Sequence, residues 1–125
     1  MDTTIQVFVT ESTIDGVIDG SIKSVRREIR PQNAAKLIEY YDEDGTVYPV
    51  YKDVPADMSV NARPIAHHFI EIINEKTRKT VLAECKEAKL EMLSDEYGNV
   101  LSYRYGDFIF AFSYVVYYIE RIIHN

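Results

Sequence analysis

Three short polar stretches interrupt the apolar runs of this chain, and each has the composition of a β-hairpin turn. Asn and Asp accept hydrogen bonds from nearby backbone in turns, and Gly adopts the positive φ that a tight reversal requires. The pattern predicts three antiparallel hairpins, whose turns lie between Tyr41 and Val47, between Ile73 and Val81, and between Leu93 and Val100.

The N-terminal part predicts further strands. Ile5, Val7 and Val9 alternate with other side chains, which is typical of a strand with one buried face. Either Asp15-Gly16 or Asp19-Gly20 has the composition of a type I′ turn leading into a second strand at 21–30. Pro31 should end that strand.

Proline residues also predict the structure of two later segments. Pro49 has no amide hydrogen, so the strand returning from the first hairpin should lie at a sheet edge. Residues 53–64 show no periodicity and contain two prolines, so they are expected to form a loop. The next apolar stretch folds back through the second hairpin, and a turn about Lys76-Thr77 is expected to place Cys85 opposite Phe69.

The third hairpin separates its side chains into two faces. If Leu93 pairs near Val100, one face is apolar: Ala88, Leu90, Met92, Leu101, Tyr103 and Tyr105. The other face is polar: Lys89, Glu91, Ser102 and Arg104. Residues 83–93 also contain many good helix formers, so a helix is the alternative there. We predict a strand because its expected partner matches it.

The C-terminal segment predicts a helix beginning after Asp107, with apolar residues following a helical stripe from Phe108 to Ile123. Its opposite side is apolar too, so we expect a homo-oligomer with Tyr114, Tyr117 or Tyr118 near the interface. The residue types also favour β-structure, so a final strand is the alternative. The predicted fold is α+β: one domain over 1–125, with an antiparallel β-meander of about six to seven strands and a C-terminal α-helix packed on one face.

Composition excludes several functional classes. With 20 acidic and 14 basic residues the net charge is −6, which argues against a nucleic-acid partner. The basic segment Lys23, Arg26, Arg27, Arg30 and Lys36 would place its charges on both faces of a strand. No apolar run is long enough to span a membrane. The lone cysteine, Cys85, cannot form an internal disulfide, which indicates a cytoplasmic protein.

Catalytic and metal-binding patterns are weak. His67 and His68 would point to opposite faces of a strand, and no further ligand spacing accompanies them, so no metal and no other cofactor is predicted. Cys85 with His67 and Glu87 is the one candidate for nucleophilic catalysis, and a small buried structural thiol is the favoured interpretation of Cys85. We therefore predict a protein that is not an enzyme.

Tyrosine is the residue type that points most clearly to a function, because it is enriched at interaction hot spots. The candidate binding residues are Tyr40, Tyr48, Tyr51, Tyr103, Tyr105, Arg104, Tyr114, Tyr117, Tyr118 and Arg121. The predicted function is a small acidic binding protein that occludes or sequesters a larger partner protein, as an inhibitor, immunity factor or counter-defence factor does. The alternative is a small-ligand receptor or sponge, in which Arg104 or Arg121 meets an anionic group. Its tyrosine-lined pocket would lie between the sheet and the helix or at a subunit interface.

Overall fold

The structure, a computed structural model, describes residues 3–106 and 108–124. The protein is mostly β, with 51% of residues in strands and 13% in helices, so the predicted α+β class is wrong. The strands are β1 (Thr4–Val9), β2 (Ser24–Ile29), β3 (Ile38–Tyr41), β4 (Val47–Tyr48), β5 (Asn61–Pro64), β6 (Phe69–Asn74), β7 (Thr80–Met92), β8 (Ser102–Tyr105), β9 (Phe108–Ala111) and β10 (Ser113–His124). The helical elements are α1 (Glu11–Asp19), α2 (Ala34–Leu37) and a 3-10 turn at Tyr51–Asp53.

The chain divides into two compact units. The first unit contains the residues up to Arg27, then Ala66–Ala88 and the residues from Val116 onward. The second unit contains Glu28–Ile65 and Lys89–Val115. Three of the four divisions fall within strands β2, β7 and β10, and the fourth falls between β5 and β6. A single domain over 1–125 stays a prediction.

The first unit contains most of a five-stranded sheet of order β1-β6-β7-β10-β2. Its first strand alternates as predicted, since Ile5 and Val7 are buried whereas Gln6 is exposed. β1 pairs in parallel with β6, so the predicted antiparallel meander is wrong here. Arg27 Nη1 donates a 3.1 Å hydrogen bond to the Gln6 carbonyl, which links the two edge strands β1 and β2.

Helix α1 occupies the segment between β1 and β2, so the hairpin turns predicted at Asp15-Gly16 and Asp19-Gly20 are wrong. Thr10 caps the helix by accepting a hydrogen bond from a backbone N–H of the first turn. Ile14 and Val17 are one helical turn apart and both are buried. The Asp-Gly pair at 19–20 ends the helix, because its glycine adopts a φ of +86°.

The second predicted hairpin is confirmed, since β6 and β7 pair antiparallel. Its register differs by one residue from the predicted one: Glu84 lies opposite Phe69, and the Cys85 N–H donates 2.8 Å to the His68 carbonyl. The turn itself is centred on Lys76 and Thr77 as predicted, and only the residue opposite Phe69 differs. Asn74 stabilises this turn, because its side-chain oxygen accepts hydrogen bonds of 2.9 and 3.3 Å from two loop N–H groups.

The second unit contains a three-stranded sheet of order β4-β3-β5. The first predicted hairpin is confirmed, because Tyr41 pairs with Val47 across β3 and β4. β4 lies at the sheet edge, as the adjacent Pro49 predicts. The loop predicted over 53–64 is wrong at its end, because Asn61–Pro64 forms β5 and pairs antiparallel with β3.

The third predicted hairpin is confirmed at its turn. β7 remains a strand to Met92, so the strand prediction for 83–93 is correct and the helical alternative is wrong. The Asp95 carboxylate accepts two 2.9 Å backbone hydrogen bonds within the turn, and Gly98 adopts a φ of +84°. Beyond the bridge between Ser94 and Val100, however, β8 pairs with β9.

The change of partner overturns the predicted buried face of this hairpin. Met92 is 50% exposed and Leu101 is 42% exposed. The β8–β9 register places Tyr103 opposite Phe110, and Arg104 opposite Ile109. Opposite residues share a face of an antiparallel pair, so the aromatic pair and the Arg104–Ile109 pair lie on opposite faces.

The predicted C-terminal helix is wrong, because the segment forms strands β9 and β10, as the alternative allowed. Val115 and Tyr117, two residues apart, are both fully buried, and Val116 between them is also buried. Burial on both faces of a strand gives a continuous apolar run, which resembles a helix that is apolar all round. Asp107, the predicted helix cap, lies outside the described residues. No helix in the described part of the chain has the length and hydropathy of a membrane span.

Candidate functional site

Large apolar side chains are exposed along one stretch of the second unit. The exposed fraction among them ranges from 42% at Leu101 to 82% at Tyr97. We call the six residues the 92–109 surface: Met92, Tyr97, Val100, Leu101, Tyr105 and Ile109. The β8–β9 register places Tyr105 and Ile109 on opposite faces of the strand pair, so these side chains border both of its faces. Large apolar side chains exposed in this number are typical of an interaction site.

Tyr97 stands at the turn of the third hairpin, and Asp95 holds that turn in shape. The Asp95 side chain accepts hydrogen bonds from the Tyr97 and Asn99 backbone N–H groups, both at 2.9 Å. These hydrogen bonds hold the pKa of the Asp95 carboxyl below its usual value, and the bond from the Asn99 N–H has the largest effect. Because the turn is already ordered, binding through Tyr97 would cost little backbone entropy.

An aromatic cluster supports β8 and β9 beside that turn. The ring of Tyr103 lies 6.0 Å from the ring of Phe110 and 4.8 Å from that of Phe112, measured between centroids. Tyr105 contacts Phe110 edge-on at 6.3 Å. Tyr103 and Tyr105, two of the predicted binding residues, thus both contact the ring of Phe110.

The tyrosines of the first hairpin have separate roles. Tyr40 contacts Tyr51 edge-on at 5.3 Å, and burial raises the pKa of the Tyr40 hydroxyl. Tyr51 remains exposed. Tyr48 donates a 3.0 Å hydrogen bond to Asp42, which raises the pKa of the Tyr48 hydroxyl. Asp42 also accepts backbone hydrogen bonds of its turn, so this acidic turn is closed by its own N–H groups.

The predicted binding residues are divided between the two units. Tyr40 and Tyr103 line one cleft in the second unit. In the same unit Arg104 is exposed on β8, and Tyr114 is half-buried on β10. Tyr48, Tyr51 and Tyr105 also belong to the second unit. The remaining three residues belong to the first unit: Tyr117, Tyr118 and Arg121.

Those three residues differ in exposure. Tyr118 is half-buried, and Arg121 is exposed and pairs with Glu84 at 3.1 Å. Tyr117 is fully buried in the first unit, which removes it from any docking surface there. Burial raises the pKa of its hydroxyl to about 12. The ring of His67 lies 6.3 Å from the ring of Tyr117, measured between centroids. Among the described residues, the Tyr117 hydroxyl has no hydrogen-bond partner, and the two ring nitrogens of His67 have none either.

We expect the environment of His67 to make the fold sensitive to acid. Burial lowers the pKa of His67 below its ordinary value of 6.5. The unfolded chain therefore takes up this proton more readily, so the free energy of unfolding should fall as the pH drops below about 6.5 and level off below the folded pKa. Urea unfolding between pH 7.5 and 5.0 measures this dependence.

Two variants isolate the contribution of His67. His67→Phe keeps an aromatic ring beside Tyr117 and should remove the loss of stability that begins near pH 6.5, whereas His68→Phe should retain it. An identical pH dependence for His67→Phe and the unmodified chain would contradict the assignment.

The residues considered for catalysis are not arranged to activate a nucleophile. The Cys85 thiol donates a 3.6 Å hydrogen bond to the Glu87 carbonyl rather than to an imidazole. Burial raises its pKa, which disfavours the reactive thiolate. Within residues 3–106 and 108–124, no group of three or more His, Cys, Asp or Glu side chains could hold a metal ion.

The basic segment is divided between the two units, since Lys23, Arg26 and Arg27 belong to the first and Arg30 and Lys36 to the second.

No protein-family model, curated protein or solved structure matches this chain.

Sequence reasoning missed several residues of the site. Leu101 and Ile109 are exposed, although the predicted hairpin face and the predicted helix assigned both to packed positions. Arg30 lines the cleft, although the sequence drew attention to it only as part of a basic segment. Reading 108–111 as a strand pairing with 102–105 was the available signal, because it separates the Tyr103 face from the Ile109 face.

Proposed function

We propose that this chain is a small, acidic, non-enzymatic protein that binds a larger partner protein and occludes part of its surface, as an inhibitor, immunity factor or counter-defence factor does. The exposure of the 92–109 surface is the observation that carries the proposal. Leaving six large apolar side chains in water has no benefit for folding, and covering them by a partner protein would be favourable.

The neighbouring charges support a partner of particular character. Glu91, Asp95 and Glu96 are exposed close to the apolar side chains in sequence, and the whole chain carries a net charge of −6. A partner surface with an apolar centre and a basic border would complement this arrangement. Acidic residues at the border would mainly accelerate association, and the apolar centre would provide most of the affinity.

Leu101→Glu combined with Ile109→Glu tests the proposal. Both side chains are exposed, so the double variant should fold, while two carboxylates on the apolar surface should weaken partner binding at least about 30-fold, the loss expected for a hot spot worth about 2 kcal/mol. The tagged chain and the variant would be used to capture partners from a native lysate, and each captured protein would be purified and its affinity measured.

The matched control is Val47→Glu with Met58→Glu. It introduces the same charges at exposed apolar positions of the same unit, outside the 92–109 surface. The control should bind the captured protein as the unmodified chain does. Equal affinity of the Leu101/Ile109 variant and the unmodified chain would refute the proposal, and so would equal losses in variant and control.

A further inference from the structure

A cleft of about 190 Å³ lies within the second unit. Aliphatic, aromatic and a few polar residues line it: Ile29, Arg30, Pro31, Ala34, Ile38, Tyr40, Ala62, Leu90, Met92, Tyr103, Phe110, Ala111 and Ser113. Pockets for drug-sized ligands are commonly about 300–1,000 Å³. The volume of this cleft therefore fits a ligand with a single ring or a short alkyl chain.

Few polar side chains reach the cleft. Ser113 is buried, and its hydroxyl donates a hydrogen bond to the Ala111 carbonyl at 3.5 Å. The hydroxyl proton of Ser113 is therefore already used within the protein. Tyr40 and Tyr103 each contribute an aromatic ring with a hydroxyl at its end. Arg30 is the one charged side chain in the lining. An apolar cleft with a single cation favours a ligand with an apolar body and one negative charge.

The structure holds Arg30 in place. Its backbone N–H donates 2.8 Å to the Asn33 side chain, and its carbonyl accepts the Ala34 N–H at the start of α2. Its guanidinium donates to Glu28 through Nη2 at 3.0 Å, and the side chain stays 58% exposed. A guanidinium has five N–H donors, so a bond through Nη2 leaves donors for a carboxylate.

We propose that this cleft binds a small organic carboxylate whose apolar body is a single ring or a short alkyl chain. The carboxylate accepts hydrogen bonds from Arg30, and the apolar body packs against Tyr103, Phe110 and Met92. This site goes beyond the proposed protein-binding function. The cation is Arg30 rather than Arg104 or Arg121, because neither Arg104 nor Arg121 lines the cleft.

Phenylacetate and phenylacetamide are the probes for this site. They share a ring and nearly the same shape, and only phenylacetate is charged. Two-dimensional NMR of the purified protein, titrated with each compound, should show shifts of the Met92 methyl and of residues around Tyr103 with phenylacetate. Phenylacetamide should bind at least about 10-fold more weakly, because hydrogen bonds to charged groups are the stronger ones.

Arg30→Gln is the test variant, and Arg63→Gln is its control. Arg63 is a half-exposed arginine of the same unit that pairs with Glu39 at 2.8 Å and lies outside the lining. Arg30→Gln should weaken phenylacetate binding about 10-fold or more and leave phenylacetamide binding unchanged, whereas Arg63→Gln should change neither. Ala62→Leu, which reduces the space in the cleft, should weaken both probes.

Three results would each contradict the proposed carboxylate site. The first is equal affinity for phenylacetate and phenylacetamide, and the second is an unaltered affinity of folded Arg30→Gln for phenylacetate. The third is the absence of NMR shifts around Tyr103 at saturating phenylacetate. Because the titration uses purified protein and no partner, its failure leaves the partner-capture experiment unaffected, and a failed capture leaves the titration unaffected.

Discussion

Tyr117→Ala is expected to lower the free energy of unfolding by about 3–5 kcal/mol, the range for truncating a large buried aromatic side chain. Tyr117 is fully buried, so the substitution removes a buried ring and leaves a cavity. Small domains have about 5–15 kcal/mol of stability in total, so this loss alone could leave much of the chain unfolded at 37 °C. Urea unfolding followed by circular dichroism measures the change.

Tyr117→Phe is the matched control, and its effect should have the opposite sign. It keeps the ring and removes only the hydroxyl, which has no hydrogen-bond partner among the described residues. A buried, unpaired polar group costs about 1–3 kcal/mol, so its removal should raise the free energy of unfolding by a similar amount. A destabilised Tyr117→Phe would mean that the hydroxyl is hydrogen-bonded in solution.

Val81→Asp should unfold the protein, whereas Met92→Asp should change its stability by no more than about 1 kcal/mol. Both residues lie on β7, but Val81 is fully buried and Met92 is half-exposed. A carboxylate at Val81 would be buried without a partner, at a cost comparable with the whole stability of a small domain.

The comparison of these two variants tests the third hairpin directly. Pairing of β7 with β8 through Met92 would bury that side chain and make both variants unfold. The observed pairing of β8 with β9 leaves Met92 exposed. Far-UV circular dichroism and the recovered yield of soluble protein distinguish the outcomes. Similar loss of structure in both variants would contradict the assignment of β8 to β9.

Local patterns in the sequence predicted local structure well. Alternation identified β1, and turn-forming residues located three reversals between the correct apolar runs. Pro49 correctly predicted an edge strand, because a missing N–H has the same consequence in any sheet. Each of these predictions depends only on residues close together in the chain.

Predictions failed where distant segments decide the structure. Residues 108–123 are mostly Phe, Tyr, Val and Ile, and only Ser113, Glu120 and Arg121 interrupt the apolar run. Such a run has no period that separates a helix from a strand buried on both faces. Pairing with partner strands decided that they form β9 and β10. The exposure of Ile109 and the position of Arg30 in the cleft could not be predicted for the same reason. Both depend on which strands pair.

Parallel pairing of β1 with β6 makes the order of synthesis important. Gln6 and its partner Glu71 are separated by 65 positions in the chain. Ribosomes add about 5–20 residues per second, so β1 emerges roughly 3–13 seconds before its partner strand has been made. During that time Ile5 and Val7 cannot be buried against β6. The N-terminal strand is thus the place where a chaperone would have most opportunity to bind, and where premature association of nascent chains would begin.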